Sequence, residues 1–305
     1  MDLDRVLDKY PDIGKYNRYF GIYLAAVMRE VDFPNGKAPF EEIARFDWLR
    51  GDDRDFFSDD MLTLFVKYSN DAVEQIRRIG TSKAFGTWVK AIERQSCENE
   101  ERLQSLFDAC LSINRSILVL RFDLGYSQLH CDAELLGNAG VSYDDVRKHR
   151  EALRRFLKSD LRHRLPPGAC KGIVFAIKLE YGLDKGYHFH VVVALNGKIV
   201  CKDGAIAEMI CDEWRNEITE GRGGACNCNR RRYRRRGIGS IKRKEVEKLD
   251  ILKKEVLPYI TKVDFYGKMV KPEKHRVFWT SHPPAITANP MSGDRSPDGG
   301  DIDLE

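Results

Sequence analysis

Apolar residues along the first part of the chain return at helical spacing. Tyr19, Ile22, Tyr23, Ala26 and Val27 share a face within a helix predicted over 19–31. A second helix runs from Met61 to Arg78, led by Leu62, Leu64, Phe65 and Val66, and 88–113 holds one or two more. The aromatic residues here read as core packing, and residues 1–112 carry no catalytic signature. The pattern changes at Ser116. Ile117-Leu-Val-Leu-Arg-Phe-Asp-Leu124 has the composition of a buried strand, stopped by Gly125; Arg121 and Asp123 share one face and Phe122 takes the other. Ser142, with Asp145 three residues on, is a variant capping box that opens a helix. Val146, Leu153, Phe156, Leu157 and Leu161 then recur until Pro166-Pro167-Gly168 ends it.

Two strands follow, Lys171 to Glu180 and a second that runs through His188 into the β-prone Val191-Val192-Val193. Gly182, Asp184 and Gly186 supply the turn between them, and Asn196-Gly197 is a further turn signal. Asp203 to Ile218 is a helix with the stripe Ile206, Met209, Ile210 and Trp214. A polar loop, 219–236, leads to a short strand, Gly237 to Ile241. A helix from Lys242 to Lys262 follows, interrupted near Pro258, which lacks an amide donor. Arg276 to Thr280 is an added edge strand. Residues 283–305 have little to bury and are expected to be disordered. This order predicts an α+β fold of the split-βαβ (ferredoxin- or RRM-like) kind, an antiparallel sheet with helices on one face. The expected division is a helical region over 1–112, the sheet domain over 113–282 and a tail over 283–305.

The chain of 305 residues is 42% hydrophobic, which marks it as globular. No apolar run approaches the ~20 residues of a membrane span, and the acidic start, Met1-Asp-Leu-Asp-Arg5, lacks a signal-peptide core. A cytoplasmic location is the default expectation. The eight cysteines lack a repeating pair spacing and read as reduced thiols; Cys226-Asn-Cys228 has no second pair to complete a zinc knuckle. A net charge of +4 decides little, but its distribution matters. Arg230, Arg231, Arg232, Tyr233, Arg234, Arg235 and Arg236 form a basic run around one aromatic, with no acid inside it. Such a run suits a phosphate backbone and a stacked base; the plainer alternative is a solvated basic loop.

Alternation along the second hairpin strand projects His188 and His190 to one side and Phe189 to the other. A turn centred near Asp184 places Glu180 opposite His188, so two imidazoles and a carboxylate converge. By ligand type this set suits zinc or manganese. With three protein ligands and a substrate phosphate to share, magnesium or manganese is also suited. Downstream, Tyr259 and Lys262 stand at i, i+3 on a helix. A tyrosine can act as a covalent nucleophile, and a nearby lysine favours an ionised phenol and neutralises phosphate charge. Tyr266, seven residues on, is a candidate second tyrosine.

His188-Phe189-His190 and Tyr259-x-x-Lys262, in this order and with the Ile117–Leu124 strand ahead of them, resemble the HUH endonuclease superfamily of rolling-circle replication initiators. Glu180 stands where several such initiators have a carboxylate ligand. The wording Leu-Arg-Phe-Asp-Leu, Gly-Tyr-His-Phe-His and Gly-Ile-Gly, with Cys226-Asn227-Cys228-Asn229, is similar to the filamentous-phage (inovirus) replication proteins found in prophages. The resemblance covers roughly 115–265. It implies metal-dependent nicking and joining of single-stranded DNA, or of an origin hairpin, through a 5′-phosphotyrosyl link to Tyr259. Under it, His188, His190 and Glu180 hold Mg2+ or Mn2+ (or Zn2+), Lys262 offsets phosphate charge and the arginine run tracks the backbone. The chain departs from the family at Pro258, directly before the tyrosine. It also lacks a Walker-type phosphate loop, so a host helicase and polymerase are the implied partners. The alternatives are a non-catalytic DNA-binding regulator of a mobile element, or a transposase or relaxase of the same superfamily.

Overall fold

The computed structural model describes residues 18–33, 36–40, 59–127, 141–182, 185–263 and 276–284. Helix α1 (Arg18–Val27) turns Ile22, Ala26 and Val27 inward. The helix predicted to run on to Val31 stops there. Glu30–Phe33 (β1) instead pairs antiparallel with Gly36–Pro39 (β2), and the β-branched Val31 joins Ala26, Val27, Phe40 and Ala72 in a small core. Helices α2 (Asp59–Gly80) and α3 (Lys83–Ile113) follow. The hydroxyl of Ser82 caps α3 by accepting from the amide of Phe85. No helix among the described residues is long and apolar enough to cross a membrane.

The second part of the chain is α+β, built on an open antiparallel sheet. Its strands are β3 (Ser116–Tyr126), β4 (Val174–Gly182), β5 (Gly186–Asn196), β6 (Gly223–Asn227), β7 (Gly239–Lys242) and β8 (Phe278–Thr280). They lie in the order β6-β3-β5-β4-β8. The predicted loop over 219–236 therefore contains a strand. β6 and β7 share one side of β3: β6 pairs with Phe122–Tyr126 and β7 with Ser116–Val119. Asn229 fills the gap between them. Its side-chain oxygen accepts from the Arg121 amide at 2.7 Å and its nitrogen donates to the Val119 carbonyl at 3.0 Å, as a paired strand would. β7 starts at Gly239 with φ +88°, a conformation glycine adopts at little cost, and a Cβ there would lie 2.9 Å from Asp203 Oδ2.

Alternation along β3, β4 and β5 divides their side chains between two cores. Leu118, Leu120, Phe122 and Leu124 of β3 lie on one face with Phe175, Ile177 and Leu179 of β4 and Phe189, Val191 and Val193 of β5. That face is covered by α4 (Tyr143–Arg155), which runs through a π-turn at Phe156–Asp160 into α5 (Leu161–Arg164), and by α6 (Asp203–Asp212) with its π-turn Glu213–Ile218. Both arms of the capping box at the start of α4 are made. The opposite face carries Ile117, Val119, Val174, Ala176, Val192 and Ala194. Over it lie the second half of α3 and the C-terminal helix. That helix consists of α7 (Val246–Ile251), a π-turn at Leu252–Val256 and α8 (Leu257–Thr261). The expectation of helices on one face is thus corrected. Both faces of these strands are apolar, and each needs a cover. Leu103, Leu106, Phe107 and Cys110 of α3, assigned from the sequence to a separate helical region, supply part of the second cover. β8 adds to the edge at β4, as the Arg276–Thr280 pattern predicts. The tail from 285 onward lies outside the described residues.

Because α3 shares this core, it is expected to unfold together with the sheet. Truncating fully buried Phe107 to alanine should lower unfolding stability by about 3–5 kcal/mol in a single transition. Denaturant unfolding followed by circular dichroism and tryptophan fluorescence checks this. A sheet that melts at an unchanged midpoint would contradict it.

Candidate functional site

The site forms where β3, β4 and β5 meet the end of α8. In the β4–β5 ladder Glu180 pairs directly with His188, as the turn placement predicts, and in the β3–β5 ladder Asp123 pairs with His190. Phe189 is fully buried on the far face, edge-on to Trp214 at 5.6 Å. Both histidines are therefore committed to the near face.

Each imidazole is held from behind. His190 Nδ1 lies 2.6 Å from Asp123 Oδ1, and His188 Nδ1 lies 3.1 Å from the Gly186 carbonyl. Both partners only accept, so each Nδ1 carries the proton and each Nε2 is turned forward. His190 Nε2 is 3.1 Å and His188 Nε2 3.7 Å from the same oxygen, Glu180 Oε2. The other carboxylate oxygen, Oε1, is buried without a hydrogen-bond partner. An orphaned acceptor beside two converging Nε2 atoms fits a bound cation. The ligand atoms of Glu180, His188 and His190 lie within 4.8 Å of one another, and the group can hold a metal ion.

The electrostatics agree. Burial works against a charged Glu180, but the hydrogen bonds to His188 and His190 and the charges of His190 and Lys262 outweigh it and hold its carboxyl well below the usual range. Asp123 is lowered in the same way: burial is outweighed by His190 and then by Arg121. Burial lowers the His190 pKa, yet Asp123 and Glu180 override it and raise the ring above its ordinary 6.5. Without a metal, the two carboxylates thus favour protonation of His190 on the side where a cation would sit.

The tyrosine is in the same place. The Tyr259 and His190 ring centroids are 5.2 Å apart at 80°. Lys262 Nζ is 4.2 Å from the Tyr259 centroid and 3.5 Å from Glu180 Oε2, and Arg121 Cζ lies 4.3 Å from the Tyr259 centroid. Tyr259 is 38% exposed and does not enter the core. Its neighbours Leu257 and Ile260 do, which fixes the helix and turns the phenol outward. Pro258 is accommodated because a π-turn precedes it and places it in the first turn of α8. In the π register, residue 258 would donate to Lys253. The carbonyl of Lys253 accepts instead from Gln104 Nε2 of α3 at 3.4 Å. Ser96 Oγ, also on α3, donates to the Thr261 carbonyl at 2.8 Å. Lys262 caps α8 in an extended conformation rather than continuing it, and its side chain still reaches the phenol. Tyr266 lies outside the described residues.

The arginine run is exposed but less free than its sequence implies. Arg230 pairs with Glu208, Arg235 with Glu255 at 2.9 Å and Arg236 with Asp203 at 2.6 Å, while Arg231 rests on Cys226 Sγ. The acids come from α6 and the C-terminal helix, outside the run. Arg232 and Arg234 make no hydrogen bond or ion pair among the described residues. Burial and the nearby Cys228 push the phenol of Tyr233 up, with Arg121 pulling the other way, so Tyr233 lies within electrostatic reach of the site. Cys226 and Cys228 are free thiols, and Cys228 is hydrogen-bonded to Asp123 Oδ2 at 3.7 Å. Asp123, Arg121, Ser96 and Asn229 escape a sequence reading. The shared face of Arg121 and Asp123 is visible in the alternation of β3, but nothing ties it to His190 until β3 is known to lie beside β5. Comparison with protein-family models, with curated proteins and with solved structures gives no match.

Calorimetric titration with Mn2+ should show one site that is lost in His188→Ala, and Asp123→Asn should weaken it about 10–100-fold. Affinity should fall as pH drops through the raised His190 pKa, because the metal must displace that proton. The metal-free protein has the opposite sign for His190. Its contribution to stability is complete below the unfolded-state pKa and is lost as pH rises through the folded value. Undiminished Mn2+ affinity in His188→Ala would place the ion elsewhere.

Proposed function

We propose that the protein nicks and rejoins single-stranded DNA through a covalent tyrosyl intermediate, initiating rolling-circle replication of a phage, prophage or plasmid. The observation that carries this reading is the meeting of Tyr259 with the Glu180–His188–His190 group, with Lys262 touching both. The strand order adds support. Reading β6 and β7 together as a fourth strand beside β3, β5 and β4 as first, third and second supports a split-βαβ reading of the open antiparallel sheet.

Glu180, His188 and His190 would hold the metal. When bound, Mg2+ or Mn2+, with Zn2+ also suited to the ligands, supplies Lewis-acid polarisation of the scissile phosphate. Asp123 keeps His190 in the tautomer that offers Nε2. The Tyr259 oxygen forms a bond to phosphorus as the bond from phosphorus to the 3′ oxygen breaks. The phenol's proton passes to solvent, and the 3′ oxygen takes up a proton to leave as a hydroxyl that can prime synthesis. A 3′-hydroxyl attacking the phosphotyrosyl link rejoins the strand and frees Tyr259. Lys262 offsets charge on the phosphate as it is attacked. Arg232, Tyr233 and Arg234 follow the strand outward, and a host helicase and polymerase complete the system.

Incubation with a single-stranded origin hairpin and Mn2+ should yield a denaturation-resistant protein–DNA adduct. Tyr259→Phe should lose the adduct and keep DNA binding, and Lys262→Met should slow its formation by about 10²–10³-fold. An undiminished adduct in Tyr259→Phe moves the nucleophile elsewhere, Tyr266 first. Binding without any adduct from the wild-type protein would instead support a non-catalytic DNA-binding regulator.

A further inference from the structure

We infer that Arg121 is a phosphate-binding residue that grips the DNA strand beside the scissile position and directs it from the metal platform to the arginine loop. The inference rests on the DNA-nicking reading and adds a subsite to it. Arg121 projects from the middle of β3 on the same face as Asp123 and His190, with its guanidinium carbon 4.3 Å from the Tyr259 ring centroid, and its charge is felt by Tyr233 of the loop.

Its cation is held in place but not satisfied. The backbone amide of Arg121 is fixed by Asn229, yet Nε is buried without a hydrogen-bond partner, and the guanidinium forms no ion pair among the described residues. Asp123, whose charge Arg121 stabilises, is already engaged: Oδ1 accepts from His190 and Oδ2 from Cys228. The Tyr259 ring and the charge of Asp123 favour the cation, but a guanidinium whose Nε is buried without a hydrogen-bond partner still carries a desolvation cost that these contacts leave without a hydrogen bond in return. A phosphate group supplies that return, because the planar fork of donors matches its oxygens. Lys262, paired with Glu180 at 3.5 Å, stands at the tyrosine, and Arg232 and Arg234 flank Tyr233 on the loop without an ion pair among the described residues. A strand that leaves the metal group for the loop passes Arg121.

The test uses the full chain in a Tyr259→Phe background, so that no covalent link forms, with a fluorescent oligothymidylate and Mn2+. Affinity is followed by anisotropy as salt is raised. Removing one phosphate contact in Arg121→Met should lower the log–log salt slope by about 0.7, while Arg121→Lys should keep the slope and lose affinity. Should Arg121→Met fail to fold, Arg121→Gln replaces it with the same expected slope. A merely structural Arg121 would change the melting temperature and not the slope, so an unchanged slope in Arg121→Met or Arg121→Gln overturns the inference. The DNA-nicking reading would survive that result if Tyr259 still gives an adduct. Absence of any oligothymidylate binding together with absence of an adduct would overturn both.

Discussion

Everything at the site hangs on the register of three antiparallel strands. β5 sits between β3 and β4, and one residue of slip on either side would move every side chain of the slipped strand to the other face. Phe189, with Val191 and Val193 after it, opposes slippage by filling the core beneath α4 and α6, which forces His188 and His190 to the opposite side. The same register delivers Glu180 from one neighbouring strand and Asp123 from the other. Apolar burial on one face thus sets polar geometry on the other.

The near face is completed by elements distant in sequence. The C-terminal helix lies over the apolar half of that face and ends where the apolar half gives way to the histidines, so Tyr259 stands at the border between core and site. α3 braces that helix twice, at Lys253 through Gln104 and at Thr261 through Ser96, on either side of Pro258 and Tyr259. These contacts give the second half of α3 a positioning role next to the tyrosine. They also explain how a proline can precede the tyrosine without loosening the helix that presents it.

Much of this was legible in the residues. The alternation of His188, Phe189 and His190, a glycine-bounded turn and the two-residue period of strands were enough to place Glu180 against His188. The valine run and the helical stripe through Ile206 and Trp214 were likewise enough for the strand and helix order. The missed features depend on which strand lies beside which. Asp123 acquires its role only when β3 becomes the neighbour of β5, and β6 is a glycine-rich segment whose strand conformation comes from pairing rather than from propensity. The π-turns widen three helices without leaving a mark in apolar spacing. The arginine run illustrates the reverse error. Within the run nothing neutralises it, and its partners Asp203, Glu208 and Glu255 become visible only in three dimensions.

The most direct measurement is anomalous diffraction from crystals of the Tyr259→Phe variant grown with Mn2+ and a single-stranded oligonucleotide. One strong peak is expected, bounded by His188 Nε2, His190 Nε2 and Glu180, with a backbone phosphate between that peak and the ring of residue 259. A peak away from these three side chains, or DNA bound on another face with no phosphate near residue 259, would contradict it.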